Sequence, residues 1–231
     1  MKTIGLIGGM SWQSTAQYYA LINEGVAARV GPAHSASILM LSVDFAEIQA
    51  LQHHGDWDAL AARMADAGRA LQAGGADCIA VCTNTMHKLA DAITDAADLP
   101  LLHIADAAGA AIAPAGMKRV GLLGTAFTME QDFYRGRLAE RFGLDVIVPG
   151  AEDRATVHRI IYDELCRGAI RDESRAAYRQ VIARLVADGA EGVILGCTEI
   201  MLLVGADDSA VPLFDTTALH AAAAVDFALA E

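Results

Sequence analysis

Basic residues are scarce and scattered: 17 Lys and Arg stand against 29 Asp and Glu, for a formal charge of −12. Nucleic-acid binding rests on clustered cations facing phosphates, so this pattern argues against such a partner. Long apolar runs are also missing. Although 54% of the residues are hydrophobic, the longest runs, such as residues 106–115, are short and alanine-rich. A membrane span needs about 20 apolar residues, so none is expected. The chain enters a strand-like run at Thr3-Ile4-Gly5, so no signal peptide is expected. Cysteine is limited to four residues, spaced neither as a zinc site nor as a disulfide framework. A reducing, cytoplasmic setting is expected. His53 and His54 lack partners at ligand spacing, so no metal is expected. Gly5, Gly8 and Gly9 miss the spacing of a dinucleotide loop, which argues against a nucleotide cofactor.

Apolar runs of strand length alternate with longer amphipathic segments, the pattern of an α/β fold with parallel strands. Strands are expected at 3–7, 37–42, 78–82, 101–103, 119–123, 144–148, 192–196 and 211–214. Helices are expected at 14–29, 57–73, 131–142, 154–167 and 173–188. In the last, Tyr178, Ile182, Leu185 and Val186 share one face.

Three anchors of the first half recur in the second. Lys2-Thr-Ile-Gly-Leu-Ile-Gly8 matches Lys118-Arg-Val-Gly-Leu-Leu-Gly124, Gly75-Ala-Asp matches Gly189-Ala-Glu, and Leu99-Pro100-Leu101 matches Val211-Pro212-Leu213. The spacing between partners shrinks only from 116 to 112 residues. One such match is easy in an α/β protein, but three in order indicate a duplication. The expected architecture is two pseudo-symmetric lobes, each a short parallel sheet flanked by helices. They comprise residues 1–114 and 115–231, divided at the Pro114-Ala115-Gly116 turn. The alanine-rich helices after the third anchors are expected to pack on the opposite lobe. Open parallel sheets bind ligands beyond their carboxyl strand ends. An inter-lobe cleft lined by residues 8–11, 83–85, 124–127 and 197–199 is therefore expected.

The repeat superposes Cys82 on Gly196 and Thr83 on Cys197. Neighbours on a strand point to opposite sides. If Cys197 faces the cleft, Thr83 faces it too, and Cys82 turns into packing. A cysteine before a helix start has its thiol pKa lowered by the dipole. Asn84-Thr85 and Thr198-Glu199 read as such starts, with backbone N–H groups for carboxylates. Fixed donors at a carboxylate stabilise the charge left by removal of an α-proton. His87, one turn further on, reads equally as a structural residue or as a group tuning the site. Asp44 and Asp215 read as turn or capping residues.

These motifs resemble the pyridoxal-independent aspartate/glutamate racemases. Cys82-Thr83-Asn84-Thr85-Met86-His87 and Gly196-Cys197-Thr198-Glu199 look like the two catalytic motifs, and Ile4 through Ser11 looks like the opening strand and substrate loop. Val43-Asp44-Phe45 and Pro212-Leu213-Phe214-Asp215-Thr216 add to the likeness, which spans the whole chain. The resemblance implies a two-lobe racemase fold, a small amino-acid substrate, no metal or pyridoxal phosphate, and a homodimer. It implies catalysis by one residue from each lobe on either side of the α-carbon. Relatives place a cysteine where this chain has Thr83, a departure shared with a bacterial L-aspartate/L-glutamate subgroup. By that likeness Cys197 removes the α-proton and Thr83 assists its return. Substrate contacts are implied at Met10, Ser11, Gln52, Asn84, Thr85, Thr125 and Thr198. In residues 160–168 many relatives carry a lysine, and this chain has Cys166. Two other readings compete: decarboxylation or cis–trans isomerisation of small dicarboxylates within the same superfamily, and a non-catalytic dicarboxylate binder.

Overall fold

The computed structural model describes residues 1–230, which form two compact units. The first unit comprises Met1–Ile104 together with the segment from His220 onward, and the second is Ala105–Leu219. The first contains strands β1 (Ile4–Gly8), β2 (Ile38–Ser42), β3 (Cys78–Val81) and β4 (Leu101–Leu102). They form one parallel sheet in the order β2-β1-β3-β4. The second contains β5 (Arg119–Gly124), β6 (Asp145–Ile147), β7 (Val193–Gly196) and β8 (Leu213–Asp215), parallel in the order β6-β5-β7-β8. The same order in both units is the structural form of the sequence repeat.

Helices α1 (Trp12–Val30), α2 (Phe45–His54), α3 (Trp57–Ala73) and α4 (Ala90–Ala96) belong to the first unit. Helix α5 (Ile104–Ile112) carries the chain into the second unit, which also holds α6 (Ala126–Glu130), α7 (Asp132–Phe142), α8 (Ala151–Asp163) and α9 (Asp172–Ala187). One turn into α10 (Thr216–Leu229) the chain returns to the first unit.

The turn expected to divide the lobes thus lies inside the second unit. The reason is visible in α5. Asp106 accepts from Arg137 Nε at 2.6 Å and from its terminal nitrogen at 2.7 Å, while Arg141 binds the same carboxylate. Gly109 lies so close to Phe142 that a Cβ there would stand 2.4 Å from the ring. Ion pairs and contact with α7 bind α5 to the second unit well before the turn at 114.

Side-chain alternation divides the core of the first unit between two faces. Ile7, Ile79 and Val81 pack in a cluster with Met64, Leu71 and Ile93 of α3 and α4. Ile4, Leu6, Cys78, Ala80 and Cys82 pack in another, with Tyr18, Ile22 and Val26 of α1 and Ala221, Ala224 and Val225 of α10. Burial of these apolar surfaces, at roughly 25 cal/mol per Å², favours a strand pattern with both faces covered.

Helix α2 lies outside the expected helices. Its signals are local: Asp44 accepts from the Ala46 N–H at 3.0 Å, and Gly55 closes the helix in the left-handed region at φ 73°. The expected helix 154–167 is shorter, ending at Asp163 before a 3-10 turn, Leu165–Arg167. There Glu164 turns inward to accept from the Ser174 hydroxyl at 2.5 Å.

Candidate active site

In the first unit β1 and β3 are neighbours whose next partners, β2 and β4, lie on opposite flanks. Chain connections therefore diverge beyond their carboxyl ends. Such a switch point leaves a crevice in an open parallel sheet. The second unit repeats the arrangement with β5 and β7.

The loop after β1 carries Met10 and Ser11, both buried. Gly9 makes its turn at φ 92°, and a Cβ there would stand 2.2 Å from the Val43 carbonyl, so only glycine fits. Ser11 caps α1, its hydroxyl accepting from the Ser14 N–H at 3.3 Å. Ser14 in turn donates to the Cys82 carbonyl at 3.2 Å, tying the β1 loop to the end of β3.

Cys82 continues the sheet, its N–H donating to Ile7, and its thiol is 0% exposed within the core. Burial pushes that thiol far above the ordinary range. Thr83, the next residue, is partly exposed. Asn84 and Thr85 follow, both buried, and Gln52 of α2 donates to the Met86 sulfur at 3.3 Å. The first unit therefore assembles Met10, Ser11, Thr83, Asn84 and Thr85 at adjacent strand ends, with Gln52 beside Met86.

The second unit assembles Thr125, Cys197 and Thr198. A close approach of two glycines sets this end of the sheet: a Cβ on Gly124 would lie 2.8 Å from the Gly196 carbonyl, and one on Gly196 2.8 Å from the Leu123 carbonyl. Thr125 caps α6 by accepting from the Thr128 N–H at 3.3 Å. The adjoining Ala126 N–H donates to His158 Nδ1 at 3.1 Å. The His158 ring lies 4.8 Å from that of Tyr162, one turn along α8, with the planes tilted by 53°.

Cys197 is 8% exposed and donates to Glu199 Oε2 at 3.1 Å. Thr198 donates to the same oxygen at 2.8 Å. Burial first, then the Glu199 charge, pushes the thiol well above its ordinary value. This corrects the expected lowering by a helix dipole. The motifs open only short 3-10 segments, Thr85–Leu89 and Ile200–Leu202, and neither Asn84 nor Glu199 caps with its side chain. A single turn carries little dipole, whereas a carboxylate against a thiol acts at hydrogen-bond range.

Glu199 as partner of the thiol was not anticipated from sequence, although it lies two residues from Cys197. Nor was the environment of His87, which is buried against His103 and His220. Asp44 and Asp215 are caps, the latter accepting from the Thr217 and Ala218 N–H groups. Among the described residues, no group of three His, Cys, Asp or Glu side chains is arranged to hold a metal ion, and no helix is long and apolar enough to cross a membrane.

A family model for Asp/Glu/hydantoin racemases matches residues 7–224. The chain is similar to the crystal structure of a candidate Asp/Glu racemase from Yersinia pestis, at 57% identity over all of both chains and a TM-score of 0.93. It is also similar to that of an aspartate racemase homologue from Pyrococcus horikoshii, at 33% identity over 99% of each chain and a TM-score of 0.84. The Picrophilus torridus aspartate racemase, 19% identical over 99% of this chain and 94% of its own, supports the fold alone with a TM-score of 0.78. With the family matched over nearly its full length and two parallel sheets built on one plan, the chain belongs to the Asp/Glu/hydantoin racemase family and is an amino-acid racemase.

Proposed function

We propose that this enzyme racemises acidic amino acids, aspartate and glutamate, without a cofactor, as a homodimer, with Cys197 and Thr83 serving opposite sides of the α-carbon. One observation carries the reading. Equivalent strand ends of a repeated sheet present a hydroxyl at Thr83 and a thiol at Cys197, while the one thiol nearest in sequence to Thr83, that of Cys82, is buried in the core.

The chemistry follows from the thiol's setting. At rest Cys197 is protonated and bonded to Glu199. A thiol pushed up in pKa ionises rarely, but its thiolate is a stronger base toward a carbon acid. As substrate binds, the thiol proton passes to Glu199 along the existing hydrogen bond, and the thiolate takes the α-proton. The electron pair left on carbon spreads into the α-carboxylate, where Asn84, Thr85 and Thr198 supply polar donors. Thr83 delivers a proton to the opposite face and recovers one from solvent, while Glu199 releases to solvent the proton it took, so each group returns to its resting state. Met10, Ser11, Gln52 and Thr125 shape the walls that hold the substrate. Because a threonine hydroxyl is the weaker acid–base group, the two directions differ in turnover at saturation, with L the faster by the family likeness, while an equilibrium constant of unity keeps kcat/KM equal in both directions.

The test is incubation of each enantiomer of aspartate and glutamate in D₂O, followed by NMR at the α-carbon and chiral analysis. Deuterium enters at the α-position and the opposite enantiomer appears. In Cys197→Ala both fall by about 10²- to 10⁴-fold, the contribution of one acid–base group. Binding of these amino acids without any deuterium entry in the native enzyme would overturn the reading.

A further inference from the structure

We infer that His87 is a positioning residue for the first catalytic loop, its imidazole clasping the Thr83 carbonyl to the backbone that leads from β4 into α5. The inference rests on the reading of Thr83 as the group serving one face of the α-carbon.

His87 is 2% exposed and sits in the 3-10 segment Thr85–Leu89. Its Nδ1 lies 2.8 Å from the Thr83 carbonyl, which can only accept, so Nδ1 carries the hydrogen. Its Nε2 accepts from the Ile104 N–H at 3.2 Å, so Nε2 carries none. Both bonds are satisfied together only by the neutral imidazole with hydrogen on Nδ1. A second buried imidazole holds the adjoining backbone in the complementary form. His220 Nε2 donates to the Leu102 carbonyl at 2.7 Å, and its Nδ1 accepts from the Tyr18 hydroxyl at 2.9 Å. The rings of His103 and His220 stand 4.6 Å and 5.5 Å from that of His87. Burial and these two neighbours disfavour a charge on His87 more than the Thr83 and Leu102 carbonyls favour one, which keeps the ring neutral, and the two bonds then set its tautomer.

Two imidazoles thus fasten Leu102 and Ile104, and one of them also fixes the peptide plane after Thr83. Holding that plane steadies the backbone from which the Thr83 side chain projects. A hydroxyl that must meet one face of a carbon depends on such fixing, because small misplacements at a reacting group cost rate steeply.

The test separates deuterium exchange from inversion. Exchange on the Cys197 face needs only the thiol, whereas inversion also needs Thr83. His87→Gln places an acceptor near the Nε2 position for Ile104 and leaves the Thr83 carbonyl without its donor. His87→Asn places an amide N–H near the Nδ1 position and restores that donor. Inversion of L-aspartate is expected to fall about tenfold in H87Q with exchange within about threefold of native, matching loss of one hydrogen bond. H87N recovers most of it, and the H87Q loss disappears in a Thr83→Ala background. Equal losses in H87Q and H87N, a parallel fall of exchange and inversion, or persistence of the loss without Thr83 would overturn the inference. Nitrogen-15 NMR of the native imidazole gives a check that needs no variant: a neutral ring with hydrogen on Nδ1 is expected, and hydrogen on Nε2 refutes the clasp. If the native enzyme shows no exchange at all, the racemase mechanism fails, and the NMR result still judges the clasp.

Discussion

The two units share one topology and differ in the chemistry at corresponding strand ends. After β3 stands a buried thiol, then a partly exposed hydroxyl whose backbone is held by a neutral imidazole. After β7 stands a thiol whose hydrogen bond runs to a carboxylate, with a glycine before it where the first unit has its buried thiol. In the first unit three imidazoles and a phenol hydroxyl surround the motif: those of His87, His103, His220 and Tyr18. In the second, the Glu199 carboxylate takes two donors on one oxygen. A duplicated sheet therefore supplies position, while single residues one to six places beyond the strand decide acid–base character. Equivalence of backbone does not imply equivalence of role.

Removing the charge from the second unit is the strongest way to break this contrast. In Glu199→Gln the amide still offers an oxygen to the thiol, but the field that opposes ionisation is gone. The thiol pKa falls toward its ordinary value. At a fixed pH below it, the thiolate fraction rises about tenfold for each pH unit by which the pKa drops. Alkylation of Cys197 by iodoacetamide, followed by mass spectrometry across pH 6 to 9, should accelerate accordingly. Racemisation should fall, since the proton acceptor of the resting thiol is lost. An unchanged alkylation profile would mean that burial alone sets this thiol.

Much of this was legible in the chain. Strands flanked on both faces are continuous apolar runs, and all eight appear within a residue or two of their expected places, as in β7 at Val193–Gly196 against 192–196. The repeat indicated two lobes with short parallel sheets, and the folded chain gives both sheets one strand order. Alternation along the strand placed Cys82 in the core and Thr83 beyond it. What escaped depended on contacts distant in sequence or on burial. The end of the expected helix 154–167 moved because Glu164 bonds to Ser174 of the next helix. The His220 ring reaches Leu102 across 118 residues, a meeting no local pattern announces. The direction in which the Cys197 pKa moves was missed because a motif suggests a helix start, while desolvation and a buried carboxylate appear only once the chain is folded.

The histidine pair of the first unit sharpens the comparison through pH. Burial lowers the His220 pKa to about 4, against about 6.5 in an unfolded chain. Above pH 6.5 the ring is neutral in both states and costs nothing. Between 6.5 and 4 the unfolded chain takes up a proton that the folded one refuses, so stability falls as pH falls. The integrated loss from this one ring is about 3 kcal/mol by pH 4, and His87 acts in the same direction. Urea unfolding at pH 7.5 and 4.5 should show the decline, with a shallower slope in His220→Gln. An equal slope in that variant would place the acid sensitivity elsewhere.

The smallest effect isolates the unequal thiols. Cys82 lies in the core beside Cys78, Ala80 and Tyr18 and has no access to solvent. Replacing it by alanine removes one sulfur from packed surroundings, a cost of about 1 to 2 kcal/mol from lost apolar burial and the cavity left behind. The backbone bonds that hold the motif do not involve the sulfur: the Cys82 N–H reaches Ile7, and its carbonyl accepts from Ser14. Cys82→Ala should therefore unfold at lower urea and still exchange and invert aspartate at close to the native rate. Should its exchange collapse instead, the buried sulfur would be a participant, and the assignment of Thr83 as the first unit's acid–base group would fall with it.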